Sequence, residues 1–181
     1  MNEQESGTVQ NGIAEQSLTL VELLRLRAAH QPDRSAYAFL REGNDALSVT
    51  YAQLDRQARA IGARLQSRCK PGDRAMLLFS PGLEFLAAFF GCLYAQIIAV
   101  PANPPRRPRH LDRLRRIAAD ATPAVVLSTE SLFTSMASLL TQAPELEALY
   151  QMGADDQTDG AELAWENPLA TPESLAFLQY T

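Results

Sequence analysis

The chain has 181 residues, 46% of them apolar and 20% charged, which suits one globular domain, or one and part of a second. Its net charge of −5 argues against a general affinity for nucleic acid. The longest apolar run, Phe85–Ala95, is eleven residues, short of the roughly 20 that a membrane span requires, so a soluble, cytoplasmic protein is expected.

Residues 1–17 are polar, with neither a basic start nor an apolar stretch of signal-peptide type, and are expected to form a disordered leader. Thr19 and Glu22 make a capping box. The helix it opens carries Leu20, Leu23, Leu24 and Ala28 on one face and ends near Gln31-Pro32, because proline disfavours helix in the residue before it. Ala36–Leu40 and Leu47–Val49 read as strands, joined through turn chemistry at Glu42–Asp45 into a hairpin.

A second capping box, Thr50 with Gln53, opens a helix that buries Leu54, Ala58, Ile61 and Leu65. Its other face, with Asp55, Arg56, Arg59 and Arg64, reads as solvated. After a turn at Lys70–Asp73, Ala75–Phe79 lacks alternation, as in a parallel strand covered on both faces. Ser80-Pro81 is expected to cap a nearly all-apolar helix running to Gln96. Then follow a strand at Ile97–Val100, an amphipathic helix from His110 to Ala121 with Leu111, Leu114, Ile117 and Ala118 inward, a strand at 124–127 and a helix at 131–140. Residues 141–174 are irregular, with Trp165 isolated, and a strand is expected at Leu175–Tyr180. This order predicts an α/β fold: a layered, largely parallel sheet with helices on both faces.

Little chemistry stands out. His30 and His110 read as surface histidines, and Cys69 and Cys92, both in segments that read as helical, have no metal-ligand spacing and suit a reducing compartment. Asp155, Asp156 and Asp159 read as a solvated linker. No paired carboxylates and no glycine-rich phosphate loop occur, and Lys70 is the sole lysine. No catalytic or metal-binding residue is predicted. Six of fifteen arginines fall between Arg106 and Arg116. Leu111, Leu114 and Ile117 interleave them, so a solvated helix face outweighs a phosphate or carrier-protein docking patch. Val100–Pro105 follows a strand's carboxyl end, where open α/β sheets bind ligands, but on its residues alone it reads as a rigid crossover loop.

Three stretches resemble the adenylate-forming enzymes, and among them the fatty-acyl-AMP ligases. Val49-Thr50-Tyr51-Ala52-Gln53-Leu54 resembles the family's "LTYxEL". Phe89–Ala95 with Ile98–Ala102 and Pro104–Arg106 resembles "FFGCLYAGxIAVPAYPPR". Leu175–Thr181 resembles the strand leading into "SGSTGxPKG". Gln96 and Asn103 depart from the pattern, standing where it has glycine and tyrosine, and the first is expected to alter a helix C-cap.

The resemblance implies that residues 18–181 are the front part of an adenylation domain, ending just before the phosphate loop and inactive alone. The parent enzyme would use ATP and magnesium to convert a fatty acid to acyl-AMP. It would then pass the acyl group to an acyl carrier protein, as at the start of lipopeptide or polyketide assembly. The resemblance makes Thr181 the entry to the phosphate loop; Asn103, Arg106 and Arg107, in and after the loop that follows the strand, are the candidates for substrate or carrier docking. The competing readings are a fragment of an acyl-CoA synthetase or amino-acid-adenylating enzyme, and a non-catalytic α/β interaction module.

Overall fold

The computed structural model describes residues 18–40, 46–155, 160–168 and 170–181. The expected leader at 1–17, the turn at Glu42–Asp45, and Asp156 and Asp159 lie outside the described residues. Among those described, no helix is long and apolar enough to cross a membrane.

The elements in order are α1 (Leu20–His30), β1 (Ser35–Leu40), β2 (Ala46–Thr50), α2 (Tyr51–Gln66), β3 (Arg74–Leu78), α3 (Leu83–Tyr94), β4 (Ile98–Ala102), α4 (Leu111–Ala121), β5 (Val125–Ser128), α5 (Glu130–Leu140), α6 (Pro144–Glu147) and β6 (Tyr150–Gly153). Both capping boxes form: the Thr19 and Thr50 hydroxyls accept from the amides of Glu22 and Gln53, whose side chains reach back to the cap amides. Strands β1 and β2 pair antiparallel as a separate ribbon, Leu40 opposite Ala46.

The main sheet is parallel, in the order β4-β3-β5-β6. Right-handed crossovers place α3 on one face as the chain steps from β3 to β4. They place α4 and α5 on the other face as it returns past β3 to β5 and on to β6. The period of two along each strand then divides the apolar residues between two cores. Ala75, Leu77, Ala99, Val125, Leu127 and Met152 pack with α2 and α3. Met76, Leu78, Val100 and Val126 pack with Leu111, Leu114 and Ile117 of α4 and Phe133, Met136 and Leu140 of α5. Helices α2 and α3 touch closely, and a Cβ on Gly91 would lie 2.4 Å from Ile61 Cγ2.

Several expectations need correction. Helix α1 buries Val21 and Leu24, while Leu20 and Leu23 are exposed, so its inward face is rotated from the predicted one. Cys69 is not helical: α2 stops at Gln66, and the Cys69 amide closes its last turn on the Leu65 carbonyl at 2.7 Å. Ser80-Pro81 does not cap α3. Gly82 is extended (φ 171°), the helix starts at Leu83, and no side chain caps it. A Cβ on Gly82 would lie 2.7 Å from the carboxylate of Glu84, which folds back over this turn.

The polar face of α2 is not a solvated one. Asp55 and Arg59 are half-buried against Tyr94 and Trp165, Arg64 is half-buried with its Nη1 donating to the Gly153 carbonyl at 2.7 Å, and of the four only Arg56 is exposed. Trp165, read as isolated, is the centre of that contact. Its ring lies 5.0 Å from that of Tyr94, its Nε1 donates to the Tyr94 carbonyl at 2.8 Å, and the guanidinium of Arg59 sits 4.6 Å from its centroid. Residues 141–174 also supply α6 and the fourth strand of the sheet, β6.

The expected strand Leu175–Tyr180 is reduced to a single parallel bridge, Phe177 with Ala99 of β4. The Ala99 amide donates to Ala176 at 3.0 Å and the Leu178 amide donates to Ala99 at 2.8 Å. One rung is too short for a ladder, and Leu175 and Phe177 remain exposed.

Candidate functional site

The strand order changes direction at β3, because β4 lies on one side of it and β5 on the other. Ligands of open α/β sheets gather outside the carboxyl ends of strands at such a switch. A groove of about 570 Å³ lies there. One wall is Phe79, Ser80 and Pro81 after β3, and a second is Ala102, Asn103 and Pro104 at the end of β4. The third is the approach to α4 and its first turns, with Arg106, Arg109, His110, Arg113, Leu114 and Ile117.

The sequence builds these walls directly. Proline at 81, 101, 104, 105 and 108 stiffens both loops. A 3-10 turn at Pro108–His110 then delivers α4, whose start has no side-chain cap. The His110 Nδ1 accepts from the Arg106 amide at 3.2 Å, which places the proton of the neutral ring on Nε2.

The predicted residues divide as follows. Asn103 and Arg106 line the groove and are exposed. Arg107 is exposed on the same loop but is not part of the lining. Thr181 lies in a smaller neighbouring cavity of about 280 Å³, with Arg113, Arg116, Ile117 and Tyr180. Arg113 therefore borders both spaces, and its Nη2 donates to the Tyr180 carbonyl at 3.0 Å. The Tyr180 hydroxyl donates to Asp120 Oδ2 at 2.5 Å, and this bond holds the phenol above its usual pKa.

Arg109 and Arg113 belong to the arginine run that read mainly as a solvated helix face, and His110 read as a surface histidine; all three line the groove, His110 half-buried. Positions 106, 109, 110, 113, 114 and 117 follow a helical period, so one face of the arginine run turns into the groove and the other to solvent.

The electrostatics are one-sided. None of the lining residues is acidic. Arg115, outside the groove, is neutralised by Glu145 at 2.7 Å and Asp112 at 3.5 Å. The arrangement suits an anionic group. The thiols do not suit nucleophilic work: burial pushes Cys92 far up, and burial with the nearby Asp73 charge raises Cys69. Among the described residues, no three His, Cys, Asp or Glu side chains gather as metal ligands.

A second space of about 510 Å³ opens at the opposite, amino-terminal end of the sheet. It is mostly apolar, with Leu18, Leu20, Leu93, Ile97 and Leu175 in its walls, and it holds no charged side chain.

Comparison with known proteins adds the following. The family model described as AMP-binding enzyme matches residues 24–181. The medium-chain fatty-acid–acyl-carrier-protein ligase JamA of Moorena producens is 38% identical over 168 residues, covering 90% of this chain and 28% of that protein. A long-chain fatty-acid–AMP ligase of Mycolicibacterium smegmatis is 34% identical, covering 82% of this chain and 24% of that protein. Among solved structures, the fatty acyl-adenylate ligase of L. pneumophila, in complex with acyl adenylate and pyrophosphate, superposes with a TM-score of 0.81. It is 36% identical, covering 90% of this chain and 28% of that one. The McyG structure complexed with phenylalanyl-adenylate, at 21% identity and TM-score 0.77, shares the fold. The chain spans between 24% and 28% of the length of the two curated relatives.

Proposed function

Because the chain belongs to the AMP-binding enzyme family, we propose that it supplies the front part of a ligase that activates a fatty acid as acyl-AMP and passes it to an acyl carrier protein. The carrying observation is the identity of 34–38% to fatty-acid ligases across 82–90% of the chain. The fatty acyl-adenylate ligase of L. pneumophila supports it by superposing over the same span.

On this reading the chain is scaffold. The sheet sets the direction of the segment Ala176–Leu178 beside β4, and α4 holds Tyr180 from below. Thr181 then leads into the loop that grips the phosphates of ATP, whose amides would stabilise charge at the α-phosphate. Membership of the family implies ATP and magnesium as the cofactors of the enzyme as a whole. Asn103 and Arg106 in the groove, and Arg107 beside it, face the substrate or the carrier. Arginine suits both a carboxylate and an acidic protein surface. The free thiols Cys69 and Cys92 support a reducing compartment, the cytoplasm.

The test is acyl transfer by the polypeptide of the full reading frame, loaded with ATP and a medium-chain fatty acid. The expected acceptor is a phosphopantetheinylated carrier protein. Transfer to free coenzyme A with equal efficiency would assign the chain to an acyl-CoA synthetase instead.

A further inference from the structure

The single rung between Phe177 and β4 ends for a chemical reason. The Ala99 amide donates to the Ala176 carbonyl and the Leu178 amide to the Ala99 carbonyl, in parallel pairing. The next bond of a parallel ladder would run from the amide of residue 101 to the Leu178 carbonyl, two residues further along each chain. Residue 101 is proline and has no N–H to give. The ladder loses that rung, and the backbone from Gln179 to Thr181 is left to other supports.

Side chains carry the segment onward, and they keep the period of two of a strand. Phe177 turns towards α3, its ring 6.0 Å from that of Phe89 in an edge-on contact. Leu178 and Tyr180 turn the other way and pack on the core that contains α4. At Tyr180 two bonds to α4 take the place of the sheet. The Tyr180 carbonyl accepts from Arg113 Nη2 at 3.0 Å, and its hydroxyl donates to Asp120 Oδ2 at 2.5 Å. Arg113 and Asp120 stand seven residues apart, two turns and about 10 Å of helix. Tyr180 therefore lies along α4, held at its main chain by one turn and at its phenol by another. The helix is a firm anchor, because Leu111, Leu114 and Ile117 bury its inner face. Ile117 also lines the small cavity shared by Tyr180 and Thr181. The bond to Asp120 raises the pKa of the phenol, so the hydroxyl keeps its proton and remains a donor.

We propose that Tyr180 is a positioning residue for ATP, and that Asp120 and Arg113 act through it: these three side chains, rather than the sheet, set where Thr181 and the backbone after it stand. The inference rests on the ligase reading, in which the loop that grips the phosphates follows Thr181. It adds a residue-level cause, in which Pro101 releases the segment from β4 and α4 captures it.

The test is ATP–pyrophosphate exchange by the polypeptide of the full reading frame, with KM for ATP and KM for octanoate measured separately. Tyr180→Phe is expected to raise KM for ATP about tenfold, the effect of one lost hydrogen bond to a charged group, and to leave KM for octanoate unchanged. Asp120→Ala should do the same. The double variant Tyr180→Phe/Asp120→Ala should be no worse than either single variant, because the two residues share one bond. Melting temperatures should match that of the wild type, since Asp120 is exposed and phenylalanine keeps the ring. The proposal is overturned if Tyr180→Phe leaves KM for ATP unchanged, if KM for octanoate rises by the same factor, or if the two single effects add. A wild-type polypeptide with no octanoate-dependent exchange would instead remove the ligase reading, and this proposal with it.

Discussion

Gln96 occupies a backbone position that favours glycine. Its φ is 54°, and it follows the last residues of α3. The Gln96 amide donates to Leu93 and the Ile97 amide to Cys92, at 3.1 and 2.8 Å, which is the paired bonding of a Schellman motif with Gln96 in the left-handed place. The expectation that glutamine would alter this cap is not met. The cap keeps its geometry, and the Cβ bears the strain. The Gln96 carbonyl also accepts from Gly72 at 2.8 Å, which helps fix the turn before β3. Gln96→Gly should therefore raise the stability of the chain by about 1 kcal/mol, the usual cost of a left-handed non-glycine residue less the added chain entropy. A higher urea midpoint at an unchanged slope would show it.

At the scale of elements, the least expected structure is the strap over α2 and α3. Gln66 exchanges two hydrogen bonds with the backbone of Glu166, and Trp165 lies over Tyr94 and Arg59. Beneath it, the Tyr94 hydroxyl donates to Asp55 at 2.6 Å, and Asp55 pairs with Arg59 at 2.7 Å. Gly62 makes the space, since a Cβ there would lie 3.1 Å from both Trp165 and Tyr94. Trp165→Ala should cost about 2–3 kcal/mol, below the full value for a core tryptophan because the ring is half-buried. Trp165→Phe keeps most of the packing but loses the bond to the Tyr94 carbonyl, and should cost about 1 kcal/mol. Denaturation of the two variants checks the order.

None of this was legible, because Trp165 meets Tyr94 across 71 residues and local patterning carries no such signal. What was legible is local. Both capping boxes, the stripe of α2 and the inward face of α4 follow from periods of 3.6 residues and from cap chemistry. Strand β6 was missed because Tyr150-Gln151-Met152-Gly153 has only one apolar residue on its buried side. The arginine run was legible as a composition, but which arginines line the groove depended on the turn at Pro108–His110.

At the scale of the whole, the described residues form a parallel sheet with a core on each face and a separate antiparallel ribbon, and a groove lies at the carboxyl end of β3 and β4. It carries Asn103, Arg106 and Arg109, and Tyr180 is tied beside it to Arg113 and Asp120. The family match covers residues 24–181, and two fatty-acid ligases are 34–38% identical to the chain over 82–90% of its length. The most direct test of the central claim is ATP–pyrophosphate exchange by the polypeptide of the full reading frame, measured with octanoate, with amino acids and without added acid. The account predicts exchange that depends on the fatty acid. Exchange driven by an amino acid, or no exchange above the acid-free rate, would contradict it.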